Sequence, residues 1–381
     1  GLRSKAERKS IMKKRNVCVL FGGMSPEHEV SLRSAEYVLE NLDPEKYNVF
    51  PVGITKEGDW VLYTGGDYSK LPTEEWMEYP KNRRAAISPV RGLDLLTGEQ
   101  LHQPLQVPGI GDIHRDVVRE QVDVVFPVLH GENGEDGTVQ GLLQLAGIPF
   151  VGPRLAASAV AMDKTLTKLV ADNAKIPQAA WQLVTRRDME KRMDRTLEEL
   201  EGRFDYPMFV KPAGTGSSVG VSKVRTREEL REALLMAAAY DEKVLVEEFI
   251  DGIEVEVAVM GNDSPVASVC GEIDSGADFY DYDAKYITDT SVAYVPARLE
   301  ENVAEQIRDM AVRVYSAIGC RGLSRVDFFV TKKDSRVVFN EINTIPGFTS
   351  ISMYPKLFAA SGIPGKELID SLIDLAMEDA E

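Results

Sequence analysis

Short apolar runs alternate with helical repeats in the first third of the chain. Residues 16–21 form an apolar run that ends at Gly22 and Gly23, which is typical of a buried parallel strand. Residues 25–42 then repeat apolar positions at helical spacing, and residues 48–54 return to an apolar run. This order predicts a β-α-β unit.

A second unit of the same kind follows along the chain. Residues 122–131 are a further apolar run, and residues 137–152 hold a helical repeat and a turn. We therefore predict an open, Rossmann-like α/β domain over residues 12–152, with a loop-rich, hairpin-like insertion at 64–115. We interpret the polar, basic residues 1–11 as a tag or a disordered lead.

The pattern changes after residue 153. A helix-rich junction leads to strand pairs at 206–224 and 243–260, and the second pair is joined by a turn at Asp251 and Gly252. A long helix is expected near 300–318. These antiparallel hairpins predict an α+β second half that is distinct from the first domain.

The composition is that of a globular protein with an acidic surface. The 381 residues are 44% hydrophobic and 28% charged, with a formal net charge of −17. No apolar stretch approaches the roughly 20 residues that a membrane span needs, and we expect no signal peptide. Because excess acid repels polyanions, we expect neither nucleic acid nor membrane as a partner.

The cysteines and histidines predict neither disulfides nor a zinc site. Cys18, Cys270 and Cys320 lack the spacing of a disulfide framework. The four histidines do not stand at metal-ligand spacing. This usage is typical of a reducing cytoplasm.

Two predicted strands near the C-terminus carry polar side chains at alternate positions. Glu341 and Asn343 stand two apart and so share one face, and Arg325 and Asp327 repeat this spacing on the preceding strand. The two carboxylates and the amide predict a magnesium site, with Arg325 facing the charge that develops in phosphoryl transfer. A polar strand end in water and a structural Arg–Asp pair are the competing interpretations.

A glycine- and serine-rich loop at residues 213–221 is the candidate phosphate contact. It is neither a Walker loop nor a dinucleotide fingerprint, because it lacks Gly-Lys-Ser/Thr and its glycines are wrongly spaced. Lys164 and Lys211 precede it and would direct charge at phosphates. Glu254 would accept from ribose hydroxyls. A flexible hairpin tip, surface lysines and a solvent-facing hairpin remain the alternatives.

The combination of these features indicates a nucleotide-triphosphate site. The chain has no His-Arg-Asp or Asp-Phe-Gly triplet, which argues against a protein kinase. At this point the sequence resembles the D-alanine–D-alanine ligase family of the ATP-grasp superfamily, from about Asn16 to the C-terminus. The segments that carry the resemblance, in family order, are GGMSPEHEVSLRSA, VLHGENGEDGTVQGLLQLAGIPFVG, MDK, VKPAGTGSSVGVSKV, FYDYDAKY, RVDFF and NEINTIPGFTSISMYPKL.

The resemblance implies an ATP-grasp fold with a central subdomain at 153–247 and a C-terminal subdomain at 248–381. It also implies a reaction. The γ-phosphoryl group of ATP passes to the carboxylate of one D-alanine, and the amine of a second D-alanine attacks the resulting acyl phosphate. The expected cofactors are ATP and two Mg²⁺, with Mn²⁺ as a possible substitute, and the family is commonly homodimeric and cytoplasmic in bacteria.

The resemblance also implies roles for individual residues. ATP would be held by Lys164, Lys211, Lys285, Glu254, the loop residues Gly216, Ser217, Ser218 and Gly220, and the backbone of Glu247, Glu248, Phe249 and Ile250. The metals would be held by Asp327, Glu341 and Asn343. The substrates would be held and activated by Glu29, with Ser217 and Tyr286 in a hydrogen-bonded triad, by Arg325 and the Gly347 N–H at the oxyanion, by Ser352, and by the neighbouring His130, Glu135 and Met353.

The choice of second substrate stays partly open. The intact FYDYDAKY segment, with no histidine after His130, disfavours a lactate-using relative. A D-alanine–D-serine ligase is the alternative, because that preference depends on pocket size, and Met353 beside Ser352 is the position to examine. Two further hypotheses are a different ATP-grasp carboxylate–amine ligase and a non-catalytic nucleotide-binding module.

Overall fold

The computed structural model describes residues 13–88, 92–96, 117–216, 219–274 and 292–378. Three sheets dominate the described parts of the chain: a seven-stranded sheet, a four-stranded sheet and a five-stranded sheet. Their mixture of α/β and α+β organisation agrees with the predicted fold class. Within these residues no helix has the length and apolarity that crossing a membrane would require.

The N-terminal sheet has the strand order β6-β5-β4-β3-β2-β1-β7. The first strand pairs in parallel with both β2 and β7, as the predicted β-α-β pattern requires. The strands are β1 (Arg15–Gly22), β2 (Tyr47–Ile54), β3 (Trp60–Leu62), β4 (Arg83–Ser88), β5 (Gly92–Leu96), β6 (Val117–Gln121) and β7 (Val124–Pro127). The helices are α1 (His28–Asn41) and α2 (Thr138–Leu145).

The insertion predicted at 64–115 is more regular than expected in its described part. Strands β4 and β5 pair with each other in antiparallel fashion and extend the N-terminal sheet between β3 and β6. Two short 3-10 helices, Tyr68–Lys70 and Glu75–Glu78, precede them. The buried Trp76 packs edge-on against Phe21 of β1, so this segment belongs to the core of the domain.

The central sheet is antiparallel, in the order β10-β9-β11-β8. Its strands are β8 (Trp181–Thr185), β9 (Met208–Pro212), β10 (Ser222–Val224) and β11 (Lys243–Glu248). The helices are α3 (Leu155–Met162), α4 (Lys164–Asn173), α5 (Arg186–Glu201) and α6 (Arg227–Tyr240). Asp163 caps the N-terminus of helix α4, because its carboxylate accepts hydrogen bonds from the first-turn N–H groups of Thr165 and Leu166.

The C-terminal sheet is also antiparallel, in the order β14-β13-β12-β15-β16. Its strands are β12 (Gly252–Met260), β13 (Val266–Asp274), β14 (Val292–Tyr294), β15 (Leu323–Thr331) and β16 (Val337–Asn343). Helix α7 (Glu301–Ile318) buries Ile307, Ala311 and Val314 against one face of this sheet. The opposite face carries polar side chains at alternate positions in one part, and in another part Ala258, Met260 and Leu323 join the core shared with the N-terminal sheet.

The last two helices, α8 (Met353–Ala360) and α9 (Gly365–Glu378), share a core with the N-terminal sheet. Phe348 packs edge-on against Phe126 of β7, and Ile369 and Leu372 of α9 belong to the same buried cluster as Val17. The N-terminal and C-terminal parts of the chain thus pack as one body here. The proposed boundaries at 152/153 and 247/248 stay predictions.

Candidate active site

The polar faces of the central and C-terminal sheets meet at a cluster of lysines and carboxylates. Lys211 lies on β9 and Glu341 on β16, and Glu341 is close enough to act electrostatically on both Lys164 and Lys211. The two predicted phosphate-binding lysines and one predicted metal ligand therefore come together from helix α4 and from two different sheets.

Glu247 on β11 is the most buried carboxylate beside these lysines, with 4% of its surface exposed. It forms ion pairs with Lys168 of α4 and with Lys211, the latter at 2.5 Å. Burial alone would raise the pKa of Glu247, but the two lysines outweigh burial and lower the pKa to about 2. Glu247 was expected to contribute only its backbone, so this side-chain role is new.

Lys168 was missed by the sequence analysis. It stands four residues after Lys164 on the same helix, a spacing that places both side chains on one face. The i, i+4 spacing of Lys168 from Lys164, itself a predicted phosphate contact, was the available signal. Burial of the Lys168 side chain, which is 3% exposed, makes it a site residue rather than a surface charge.

Lys164 fixes the beginning of the glycine-rich loop. Its backbone N–H donates to the Ala213 carbonyl at 2.9 Å, and its Nζ donates to the Thr215 carbonyl at 2.6 Å. Burial lowers the pKa of Lys164, although Glu341 opposes this shift. Asp241 holds the same segment from the other side, because its carboxylate accepts from the Gly214 N–H at 2.7 Å.

The far end of the loop requires a glycine. Gly220 has φ +76°, and a Cβ there would come within 2.8 Å of Pro212 and 2.9 Å of Tyr240. Gly216 and Gly220 thus border the predicted phosphate contact. The predicted contacts Ser217 and Ser218 lie outside the described residues, as do Lys285 and Tyr286.

Arg325 and the predicted metal ligands share one face of the C-terminal sheet. Arg325 lies opposite Asn343 and Asp327 lies opposite Glu341, because a bulge between Asp327 and Phe328 shifts the register by one residue. Arg325 donates to both Asp327 oxygens at 2.8 Å and 2.7 Å, and Asn343 Nδ2 donates to Asp327 Oδ2 at 3.0 Å.

Glu256 on β12 is a further member of this face that the sequence analysis missed. It lies opposite Asp327, and its Oε2 is 3.2 Å from Arg325 Nε. Burial would lower the pKa of Arg325, but Asp327 and Glu256 outweigh it and hold the pKa well above its usual value. Arg325 is therefore a fixed cation between two carboxylates.

The donor set fits a hard divalent cation. Asp327 and Glu341 face each other on neighbouring strands with Asn343 beside them, and carboxylate and amide oxygens are the ligands that Mg²⁺ prefers. Burial raises the pKa of Asp327 despite the opposing effect of Arg325. Among the described residues, no three His, Cys, Asp or Glu side chains are grouped to hold a metal alone, so phosphate or water oxygens would complete the coordination.

The structure places Glu29 away from this centre. Its side chain is 55% exposed and ion-paired with Lys56 at 2.6 Å, which lowers its pKa. Glu27, two residues earlier, points the other way. A Cβ at Gly216 would be 3.5 Å from Glu27 Oε2, and a Cβ at Gly131 would be 2.5 Å from it. Glu27 is therefore the carboxylate of this pair that lies beside the loop, and the substrate role assigned to Glu29 stays a prediction.

His130 and Glu135 reach the segment after β16 from the N-terminal domain. His130 Nδ1 is 3.1 Å from the Ile345 carbonyl, and burial lowers the His130 pKa to about 4. Glu135 accepts from the Gly131 N–H at 2.7 Å. Burial and then the nearby Glu27 raise the Glu135 pKa to about 8, although Ile345 N–H and Arg325 oppose the shift. The structure brings both residues to the site.

Gly347 and Ser352 lie next to each other. A Cβ at Gly347 would approach Ser352 Oγ to 3.0 Å, and Ser352 Oγ accepts from the Thr349 N–H at 2.9 Å. Met353 turns into the core instead, where a Cβ at Gly271 would come within 2.3 Å of its terminal methyl group. Met353 therefore follows Ser352 in the chain, but its side chain points into the core.

The predicted nucleotide strand continues from β11 into β12. Glu248 Oε1 accepts from the Ala180 N–H at 2.8 Å, so this side chain holds the strand end. Phe249 packs beside Phe209 with ring centroids 6.0 Å apart, and Lys223 lies over the Phe249 ring. Ile250 lies at the turn between β11 and β12. Further along β12, Glu254 points to the same face as Glu256.

Enzymes of the ATP-grasp class hold a nucleotide between two α+β sheets. This chain has that fold, with Lys211 on the central sheet close to Glu341 on the C-terminal sheet. The family model for the D-ala D-ala ligase N-terminus matches residues 16–153, and the model for the C-terminus matches residues 170–374. The chain belongs to the D-alanine–D-alanine ligase family. It is an enzyme of this family, whose members use ATP and a divalent metal.

Known relatives agree over nearly the whole length. The D-alanine–D-alanine ligase of Acetivibrio thermocellus is 50% identical over 367 residues, covering 96% of each chain. The enzyme of that name from Ruminiclostridium cellulolyticum is 48% identical over 372 residues, covering 97% of each. Among solved structures, the VanG D-Ala:D-Ser ligase from Enterococcus faecalis has a TM-score of 0.83 at 38% identity, with 96% of this chain and all of that chain covered. The D-alanine–D-alanine ligase from Coxiella burnetii has a TM-score of 0.79 at 34% identity, with 96% of both chains covered.

Proposed function

We propose that this enzyme joins two molecules of D-alanine into D-alanyl-D-alanine, with ATP as the source of energy, to supply peptidoglycan precursor synthesis. The observation that carries the proposal is the meeting of Lys164, Lys211 and Glu341 between two sheets. A cation pair opposite a metal-type carboxylate suits a triphosphate, which carries negative charge along its length. Family membership supplies the substrate class.

The chemistry needs an activated carboxylate. A carboxylate is a poor electrophile, and its phosphorylation by ATP creates a leaving group. The oxygen of the first D-alanine carboxylate forms a bond to the γ-phosphorus, the bond to the β-phosphate oxygen breaks, and ADP leaves. The buried Lys164 and Lys211 would offset the charge on the phosphates during this step.

Mg²⁺ would bind at Asp327, Glu341 and Asn343, two ions per site with Mn²⁺ as a possible substitute, and would neutralise phosphate charge. Arg325 would face the charge that develops in transfer, as its fixed position between Asp327 and Glu256 supports. The metal identity and number are proposals for this chain.

The first D-alanine would lie beside Glu27. The Glu27 carboxylate lies next to the glycine-rich loop and to Glu135, and so would attract the ammonium group of the substrate. We therefore transfer to Glu27 the role that the sequence analysis gave to Glu29. The hydrogen-bonded triad with Ser217 and Tyr286 would then start from Glu27.

The second D-alanine would lie beside Gly347 and Ser352. Its amine attacks the acyl phosphate carbon, the tetrahedral oxyanion accepts from the Gly347 N–H and from Arg325, and phosphate leaves with the carbonyl re-formed. The amine must shed its proton to react. Glu135, which lies near Arg325, has a pKa raised to about 8, so its ionised form, which grows with pH toward and above 8, is a candidate acceptor for that proton.

A preference for D-serine at the second site is the alternative. The VanG D-Ala:D-Ser ligase is the relative that supports it, with 38% identity. The curated relatives at 48% and 50% identity carry the name D-alanine–D-alanine ligase and support D-alanine. We also propose a homodimer in the bacterial cytoplasm, acting on small molecules without nucleic acid or membrane partners.

The test offers the purified enzyme ATP and Mg²⁺ with D-alanine, D-serine and D-lactate, singly and in pairs, and reads the products by mass. We expect the D-alanine dipeptide from D-alanine alone. Formation of D-alanyl-D-serine in preference to D-alanyl-D-alanine would support the alternative. ADP release with no dipeptide or ester would overturn both.

A further inference from the structure

A fully buried serine on helix α1 touches the predicted oxyanion segment from the N-terminal domain. Ser34 has no exposed surface, and its Oγ accepts from the Phe348 N–H at 3.1 Å. The same Oγ is 3.1 Å from His130 Nε2. Ser34 therefore links the segment after β16 to His130, which also contacts the Ile345 carbonyl.

The chemistry of the donors fixes the direction of each hydrogen bond. A backbone carbonyl can only accept, so His130 carries its hydrogen on Nδ1 and donates it to the Ile345 carbonyl at 3.1 Å. Neutral His130 then accepts at Nε2, so Ser34 Oγ donates its own hydrogen there while it accepts from the Phe348 N–H. This arrangement requires neutral His130, and burial lowers the His130 pKa to about 4, which is consistent with it.

The two contacts enclose Gly347. Ile345 is held two residues before it and Phe348 one residue after it, while a Cβ at Gly347 would approach Ser352 Oγ to 3.0 Å. Two backbone positions on either side of one N–H are thus held by two side chains of the N-terminal domain. A donor aimed at a developing oxyanion has to be held in place before the reaction, because reorientation would cost rate.

We propose that Ser34 is a positioning residue, which acts through His130 and Phe348 to aim the Gly347 N–H at the tetrahedral intermediate of peptide-bond formation. This inference rests on the proposed ligase function. Ser34 touches no reacting atom. Its contribution is to join the domain that holds the first D-alanine to the segment that receives the second.

The plain alternative is a buried serine that only satisfies its hydrogen bonds for stability. Ser31 provides the matched control, since it lies one turn earlier on α1 and is equally buried. Its Oγ likewise makes two hydrogen bonds, accepting from the Gly22 N–H at 2.7 Å and donating to the Val128 carbonyl at 2.6 Å. Both partners of Ser31 belong to the N-terminal domain.

The experiment compares Ser34→Ala with Ser31→Ala in the full-length enzyme. We expect both variants to lower the melting temperature to a similar extent. We expect Ser34→Ala alone to lower kcat by about 100-fold, the loss that a small misplacement of reacting groups produces. The KM for ATP should stay at the wild-type value, while the KM for the second D-alanine rises.

A second measurement reads the hydrogen-bond relay without turnover. In enzyme labelled with ¹⁵N-histidine, with His130→Gln used to assign the signal, wild-type His130 should remain the neutral Nδ1–H form between pH 5 and 9. Ser34→Ala should shift the Nε2 resonance, and Ser31→Ala should leave it unchanged.

The outcomes separate the inference from the function on which it rests. If the wild type makes no dipeptide, the proposed function fails, whatever Ser34→Ala does. If the wild type is active and the two alanine variants lose kcat equally, Ser34 is a stability residue and the inference is overturned. A wild-type His130 signal in the Nε2–H form would also overturn it.

Discussion

The buried carboxylate of Glu247 should contribute far more to the free energy of unfolding than an exposed carboxylate does. Its pKa falls from 4.5 to about 2 in the folded enzyme, because Lys168 and Lys211 outweigh the effect of burial. That difference corresponds to about 3 kcal/mol of stability at neutral pH. Removal of one member of a buried ion pair costs a similar amount, about 3–5 kcal/mol.

We therefore predict that Glu247→Gln lowers the free energy of unfolding by about 3 kcal/mol at pH 7. The sign of the pH dependence follows from the direction of the pKa change. A lowered carboxylate pKa stabilises the fold above the unfolded-state pKa, and this contribution is lost as pH falls toward the folded-state pKa. The difference between wild type and variant should shrink to about half at pH 3.

The assay is urea unfolding of both proteins at pH 7 and pH 3, followed by circular dichroism. Glu199→Gln is the matched control. Glu199 also lies between two cations, with Arg192 at 3.2 Å and Arg195 at 3.0 Å, but its side chain is 36% exposed. An exposed pair of this kind contributes little. A loss for Glu247→Gln no larger than for Glu199→Gln, or one that is the same at both pH values, would refute the reasoning.

Three other perturbations test the site. Glu27→Gln should raise the KM for the first D-alanine with little effect on the KM for ATP, whereas Glu29→Gln should leave both constants unchanged. The opposite result would assign the ammonium group of the first D-alanine to Glu29. Glu341→Gln should reduce kcat by at least about 100-fold while the protein stays folded, since it removes a metal-bridging charge, and wild-type phosphate release would exclude the metal assignment. Asp241→Ala should release the Gly214 end of the loop and raise the KM for ATP severalfold, as measured by initial rates, and an unchanged value would show that Lys164 alone holds the loop.

The architecture followed from the sequence where periodicity was strong. The apolar run at 16–21 and the repeats after it predicted the parallel core of the N-terminal sheet, and alternation predicted one shared face for Arg325 and Asp327. The shared core between helix α9 and the N-terminal sheet was not predictable in this way. It depends on contacts more than 300 residues apart, which no local pattern records.

The choice between Glu27 and Glu29 shows what the sequence alone leaves open. Residues two apart on a helix point in nearly opposite directions, so of Glu27 and Glu29 only one can face the site. The sequence Glu-His-Glu offers two identical side chains, and a motif match with an uncertainty of two positions cannot choose between them. The buried positions of α1 decide it, because Ser31, Leu32, Ser34 and Ala35 define the inward face.

The metal face shows why correct residue types do not give the geometry of a site. Alternation along β15 and β16 predicts that Asp327 and Glu341 each point to the polar side, but their facing register depends on a bulge that leaves Asn340 without a partner in the ladder. If the register that pairs Phe328 with Phe339 continued without a bulge, Asp327 would pair with Asn340, and Glu341 would point to the other face. The bulge also brings Asn343 opposite Arg325, so a single added residue determines which oxygens meet. Polar spacing can therefore identify the ligands of such a site, while their convergence depends on a backbone irregularity that only the three-dimensional structure reveals.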